Sequence, residues 1–186
     1  MTHAADRPIV LDHVNTRALM YRNSLTGLGD PTPELHLANV NGFGKIRFPL
    51  DNVRIWARFL NTEFKHGTNF TAGPRTDFWV MGYNVEGAVT NFGVKYGGRM
   101  EVLGGVANMF GPWPKEWRPP MLEVEPDGAM SYIGSTNGPP GRYFRKLVMF
   151  LDEDGESVSL PMDSQPVRYG RPNNWFVPLF VHQPAE

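Results

Sequence analysis

Glu63 and Glu86 are the residues of this chain best placed to do chemistry. They close two windows, WARFLNTE (56–63) and WVMGYNVE (79–86), that match at their tryptophan, asparagine and glutamate positions. Two carboxylates brought together by such a repeat repel each other and raise one pKa. At a separation of about 5 Å they have the geometry of a retaining glycosidase pair. The same windows carry Trp56, Arg58, Trp79 and Tyr83. On an outward face these form an aromatic platform suited to sugar rings, because an indole face stacks on the apolar face of a pyranose. Each set also has a plainer reading. The glutamates fit a solvated corner, and the platform fits a surface covered by C-terminal strands or by a second subunit.

The elements that position these residues follow from a repeat of 22 to 23 residues. Phe48, Phe70 and Phe92 are spaced at 22, the last two inside identical Thr-Asn-Phe triplets at 68–70 and 90–92. Asn39, Asn61 and Asn84 keep nearly the same spacing, and FWVMG (78–82) maps onto MEVLG (100–104). A fixed period in this range marks a solenoid, in which each repeat buries its apolar side only against its neighbours. Within a repeat the alternation has period 2, with Val53, Ile55, Ala57 and Phe59 on one parity and Arg54, Trp56, Arg58 and Leu60 on the other. That is a strand signal. With no room for a crossover helix, the simplest coil is a parallel β-helix whose rungs stack about 4.8 Å apart. Phe48, Phe70 and Phe92 are then expected as an internal stack. Asn39, Asn61 and Asn84 are expected as a ladder at a corner, where asparagine tolerates left-handed backbone.

The expected organisation is a coil over 1–110, a linker at 111–120 with four prolines and two tryptophans, and antiparallel strands over 121–186 that cap the last rung or cover one face. The outward residues Trp56, Leu60, Trp79, Met81, Tyr83 and Leu103 are too apolar to face water as a strip, so a cover is expected. Twenty glycines and seventeen prolines suit a turn-rich β protein. A net charge of −1 gives no footprint for nucleic acid or an anionic membrane. The chain has no cysteine for a disulfide framework, and MTHAADRPIVLDHV lacks the charged and apolar regions of a signal peptide. His13, His36, His66 and His182 do not have metal-ligand spacing. The acidic run around Gly155 reads as a hairpin turn at Asp154-Gly155, not a calcium loop. Neither a metal nor a cofactor is expected.

The strings IWARFLNTE (55–63), DFWVMGYNVEG (77–87) and GGRMEVLGG (97–105), in that order, resemble the last rungs of secreted bacterial β-helix proteins of the pectate lyase-like superfamily, often called glycoside hydrolase family 28-related. DRPIVLDHV (6–14) and the strand-rich tail are similar to that family too. The resemblance implies an all-β chain with a right-handed parallel β-helix, an extracellular setting and a polysaccharide or oligosaccharide partner. The family's acidic entry motif, of the type DGVTDDT, is missing, so the chain resembles the C-terminal part of such a protein or a compact relative. Two functions stay open on this reading. One is a glycosidase or lyase acting through Glu63 and Glu86, with Trp56, Arg58, Trp79 and Tyr83 binding substrate. The other is a noncatalytic glycan-binding or oligomerisation module.

Overall fold

The computed structural model describes residues 2–3, 7–20, 22–23, 32–47, 52–63, 68–87, 89–109, 119–138, 144–154, 157–164, 167–168 and 174–184. Among these residues the regular elements are strands alone: β1 (Thr2–His3), β2 (Ile9–Asp12), β3 (Asn15–Met20), β4 (Arg22–Asn23), β5 (Glu34–Arg47), β6 (Val53–Glu63), β7 (Thr68–Ala72), β8 (Thr76–Glu86), β9 (Thr90–Val94), β10 (Arg99–Asn108), β11 (Leu122–Val124), β12 (Ala129–Asn137), β13 (Lys146–Leu151), β14 (Ser157–Pro161), β15 (Val167–Arg168) and β16 (Trp175–His182). A nine-stranded sheet runs β15-β16-β12-β10-β8-β6-β5-β2, with β3 also on β5, and a five-stranded sheet runs β14-β13-β11-β9-β7. The chain visits them alternately, so β6–β7, β8–β9, β10–β11 and β12–β13 make about four turns of a β-solenoid.

Pairing is parallel and in register, as a 22–23-residue period requires: Ile55 sits beside Phe78, and Phe78 beside Met100. Inward columns are therefore apolar from rung to rung. Leu35, Ile55, Phe78, Met100 and Met130 form one, and Leu37, Ala57, Val80, Val102 and Tyr132 another, all buried. The opposite sheet supplies Phe70, Phe92, Leu122 and Val148. The rings of Phe70 and Phe92 stack with centroids 5.4 Å apart, as the period predicts; Phe48 lies outside the described residues.

From the end of β2 through β5, β6 and β8 to β10, the nine-stranded sheet bends at one shared position, whereas β12 keeps a uniform alternation. Asn39, Phe59 and Gly82 occupy aligned positions with φ of 53°, 60° and 81°, and His13 and Gly104, at 52° and 80°, continue the series. A left-handed residue turns the strand and exchanges which parity faces inward. Val53, Ile55 and Ala57 point in before the bend, and Leu60 and Thr62 after it. The uniform alternation expected across this segment fails here for that reason. Leu60 and Tyr83 belong to the core, and Phe59, placed inward by simple alternation, is 58% exposed. Tyr83 fits beside Gly105, where a Cβ would come within 2.3 Å of its ring. Its hydroxyl hydrogen-bonds the Tyr132 hydroxyl inside the coil, and burial pushes the Tyr132 phenol pKa upward.

Antiparallel pairing begins later than 121. β11, β12 and β13 still pair in parallel with the coil, and only β14 on β13, β16 on β12 and β15 on β16 are antiparallel. These last strands extend both sheets in their own planes instead of lying over a face. They use up the hydrogen-bonding edge of the last rung and leave the two-residue β15 at the rim of the larger sheet, which blunts it. The linker at 111–118 and Gly155 lie outside the described residues.

Because Phe70 is fully buried and stacked, Phe70→Ala is expected to cost about 3–5 kcal/mol. Urea unfolding checks this; a loss below about 1 kcal/mol, the level of an ordinary surface change, contradicts the stack.

Candidate functional site

Before their bends, β5, β6, β8 and β10 present three outward columns. The first is Glu34, Arg54, Asp77 and Arg99; the second is His36, Trp56, Trp79 and Glu101; the third is Ala38, Arg58, Met81 and Leu103. The Trp56 and Trp79 rings stack with centroids 5.1 Å apart and planes 14° from parallel, and His36 stacks on Trp56 at 4.9 Å and 9°. The rings thus pile along the coil axis like steps, each covering its neighbour's face. This arrangement is a ladder with its edges to solvent; of the indole faces only that of Trp79 toward β10 has no ring in register upon it, and at the other end the His36 face toward β2 meets Val10. Arg58 is exposed beside it. Tyr83 is 3% exposed and faces the core, so it does not join Trp56, Arg58 and Trp79; the left-handed Gly82 turns it inward.

Glu63 and Glu86 are paired in register at the ends of β6 and β8, as the repeat predicts. Partial burial, then the charge of Glu63, holds the Glu86 carboxyl above its ordinary pKa. Two residues earlier, Asn84 donates to Asn61 Oδ1 at 3.2 Å. Asn108 donates to Asn84 at 2.7 Å, and Asn137 to Asn108 at 3.4 Å. This asparagine ladder differs from the expected one at its start. Asn41, not Asn39, stands in register with Asn61; Asn39 occupies the left-handed bend and donates to Asp12 Oδ1 at 3.5 Å.

The sequence reading missed two groupings. A cleft of about 510 Å³ is lined by Arg99, Glu101, Asp127, Ser131, His182 and Gln183 among others. Burial lowers the His182 pKa, and its ring lies 4.9 Å from Phe150. Arg99 and Glu101 share the repeat positions of Asp77 and Trp79, so the repeat was a usable signal for them. Asp127 sits in a turn and His182 arrives on antiparallel β16, whose register no period announces. On the other sheet, Lys95 pairs with Glu125, which is 8% exposed. Neighbouring Glu123 has its pKa raised, chiefly by burial. Lys95 and Glu125 stand just past the ends of β9 and β11, where their ion pair braces adjacent rungs. Among the described residues no three histidine, cysteine, aspartate or glutamate side chains gather as a metal-binding group.

Comparisons with protein-family models, with curated proteins and with solved structures return no match for this chain. The β-solenoid is what the resemblance and the structure share.

Asn84 both donates and accepts in the ladder, so Asn84→Ala is expected to cost about 1–2 kcal/mol in a urea titration, above a surface change of about 0.5 kcal/mol. Glu86 provides a pH test. Its folded pKa is raised, so the folded state holds its proton more tightly than the unfolded chain does. Its contribution to stability is therefore greatest below the unfolded carboxylate pKa and declines as pH rises through the folded one. Glu86→Gln should raise the Tm at pH 7 and leave it unchanged near pH 3. A gain of equal size at both pH values removes the electrostatic explanation.

Proposed function

We propose that this chain is a noncatalytic β-helix module whose outer face on the nine-stranded sheet docks against another protein surface. One observation carries the reading: Trp56 and Trp79 spend their faces on each other while Met81 and Leu103 beside them stay 46% and 49% exposed. Contiguous exposed apolar surface is uncommon unless something binds it. Among the described residues the C-terminal strands extend the sheet instead of covering this face. A sugar platform of the expected kind needs an open indole face, and the ladder leaves only the end of Trp79.

Cleavage by Glu63 and Glu86 requires a saccharide held between them. Their pairing follows the rung register, and neither lines the cleft. The raised Glu86 pKa has a sufficient cause in partial burial and the like charge beside it. Carbohydrate binding without cleavage is the second reading, favoured by the cleft at Arg99, Glu101, Asp127, Ser131 and His182 near the free end of the ladder. Charged and hydroxyl groups of these kinds suit sugar hydroxyls.

Release of reducing ends and unsaturated products is to be measured across plant, algal and microbial polysaccharides, with retention on the insoluble ones. The docking reading expects background release, unchanged in Glu63→Gln, and no retention. Product formation lost in Glu63→Gln establishes catalysis instead. Retention lost in Arg99→Ala with the melting curve intact establishes the cleft as a glycan site.

A further inference from the structure

We propose that the partner of this face is a second copy of the chain, packed face to face about a twofold axis that runs along the strands between β6 and β8, so that the two coils are antiparallel. The inference rests on the reading of this face as a docking surface and supplies its partner. Such an axis keeps each outward column opposite itself and reverses the order of its rungs. The first column, Glu34, Arg54, Asp77 and Arg99, alternates in sign over four rungs. Reversed, it sets Glu34 against Arg99 and Arg54 against Asp77 of the second copy, so every charge meets its opposite. The second column sets Trp56 against Trp79 and His36 against Glu101. The third sets small Ala38 against Leu103, and Arg58 against Met81, where the arginine methylenes cover apolar surface while the charge reaches water. Within its own chain, His36 already lies 3.6 Å from Glu34, which holds both groups at the rim of the aromatic ladder.

The other face-to-face twofold, along the coil axis, fails on the same residues. It keeps each rung opposite itself and reverses the strand direction. Glu101 then meets Glu101, and the charged column lies on Ala38, Arg58, Met81 and Leu103. Like charges across an interface are an effective bar to pairing. Over these four rungs the antiparallel arrangement alone sets each charge of the first column on its opposite and avoids a like-charge contact in the second.

Size sets the expected strength. Four rungs, from β5 to β10, at ~4.8 Å each and three outward positions per strand at ~7 Å each give on the order of 400 Å² per copy. The resulting total of about 800 Å² lies below the range of stable interfaces, so the dimer is expected to be weak and readily reversible.

Single-cysteine variants trap the arrangement, because the native chain has no cysteine. Glu34→Cys and Arg99→Cys chains are mixed under mild oxidation, and each is also oxidised alone. The expected result is a disulfide-linked dimer in the mixture and little or none in either chain alone, since each introduced cysteine lies opposite the other position and about three rungs from its own copy. Sedimentation of the unmodified chain should show monomer converting to dimer as concentration rises, with Leu103→Asp holding the monomer at an unchanged Tm. A monomer throughout the concentration range overturns the proposal. A dimer in which Glu34→Cys links to itself as readily as to Arg99→Cys overturns the antiparallel arrangement and leaves the docking reading standing. Polysaccharide retention that Leu103→Asp abolishes in a monomeric chain overturns the docking reading and the dimer with it.

Discussion

Parallel in-register pairing carries a turn from one rung to the next, and from β2 to β10 the molecule depends on that shared corner. The corner is made by left-handed residues at one aligned position of successive rungs, from His13 and Asn39 through Phe59 to Gly82 and Gly104. Glycine adopts this conformation without penalty and asparagine nearly so, whereas an aromatic residue there costs about 1–2 kcal/mol. Phe59 accepts that cost because its rungs on both sides already bend. A Cβ added at Gly82 would meet the Phe59 ring at 3.6 Å, so the ring lies over the next rung's corner and returns some of the cost as contact.

The corner also decides which residues the solvent sees. By exchanging parity it delivers Leu60 and Tyr83 to the interior, where Tyr83 meets Phe92 edge-on at 4.9 Å and bonds Tyr132. Past the corner, the outward side becomes a polar face of asparagines and glutamates. Stacking treats these two differently. An amide carries both a donor and an acceptor, so a column of amides is self-satisfying along its length. Ionised carboxylates are acceptors only, and beside Glu86 the charge of Glu63 adds to partial burial in raising the Glu86 pKa.

The repeat was legible because in-register stacking writes the same constraint at every turn. Trp56 on Trp79, Phe70 on Phe92 and Glu63 beside Glu86 all follow from counting residues. In β6 the phase change was not legible, because Phe59 offers no sign of a left-handed backbone and period-2 alternation reads straight through it. Phe59 thus explains why Leu60 was placed outside; the same corner in β8 explains Tyr83, and there Gly82 was a usable signal. The corner also bears on Asn39 and Asn41: both lie near it and both suit asparagine, and only the strand register separates the bend from the ladder. The cleft was illegible for another reason, since β16 reaches it by antiparallel pairing with a register shift between Tyr132 and Gly134, which no internal repeat encodes.

Inner and outer columns of a solenoid answer to different constraints. The interior must be filled on every rung, so its columns conserve apolar character while varying in size, as from Ala57 to Val80 to Val102 to Tyr132. The exterior is free of that demand, and solubility alone is satisfied by charge in every outward column. Here one outward column is charged throughout, the next stacks two indoles, and the third passes from Ala38 and Arg58 to Met81 and Leu103. An apolar strip bordered by charges of alternating sign has the composition of an interface core beside its rim. Stacking accounts for the tryptophans but leaves Met81 and Leu103 without a structural reason to face water, and that residue of unexplained apolar surface is where the fold alone stops being a sufficient account of the sequence.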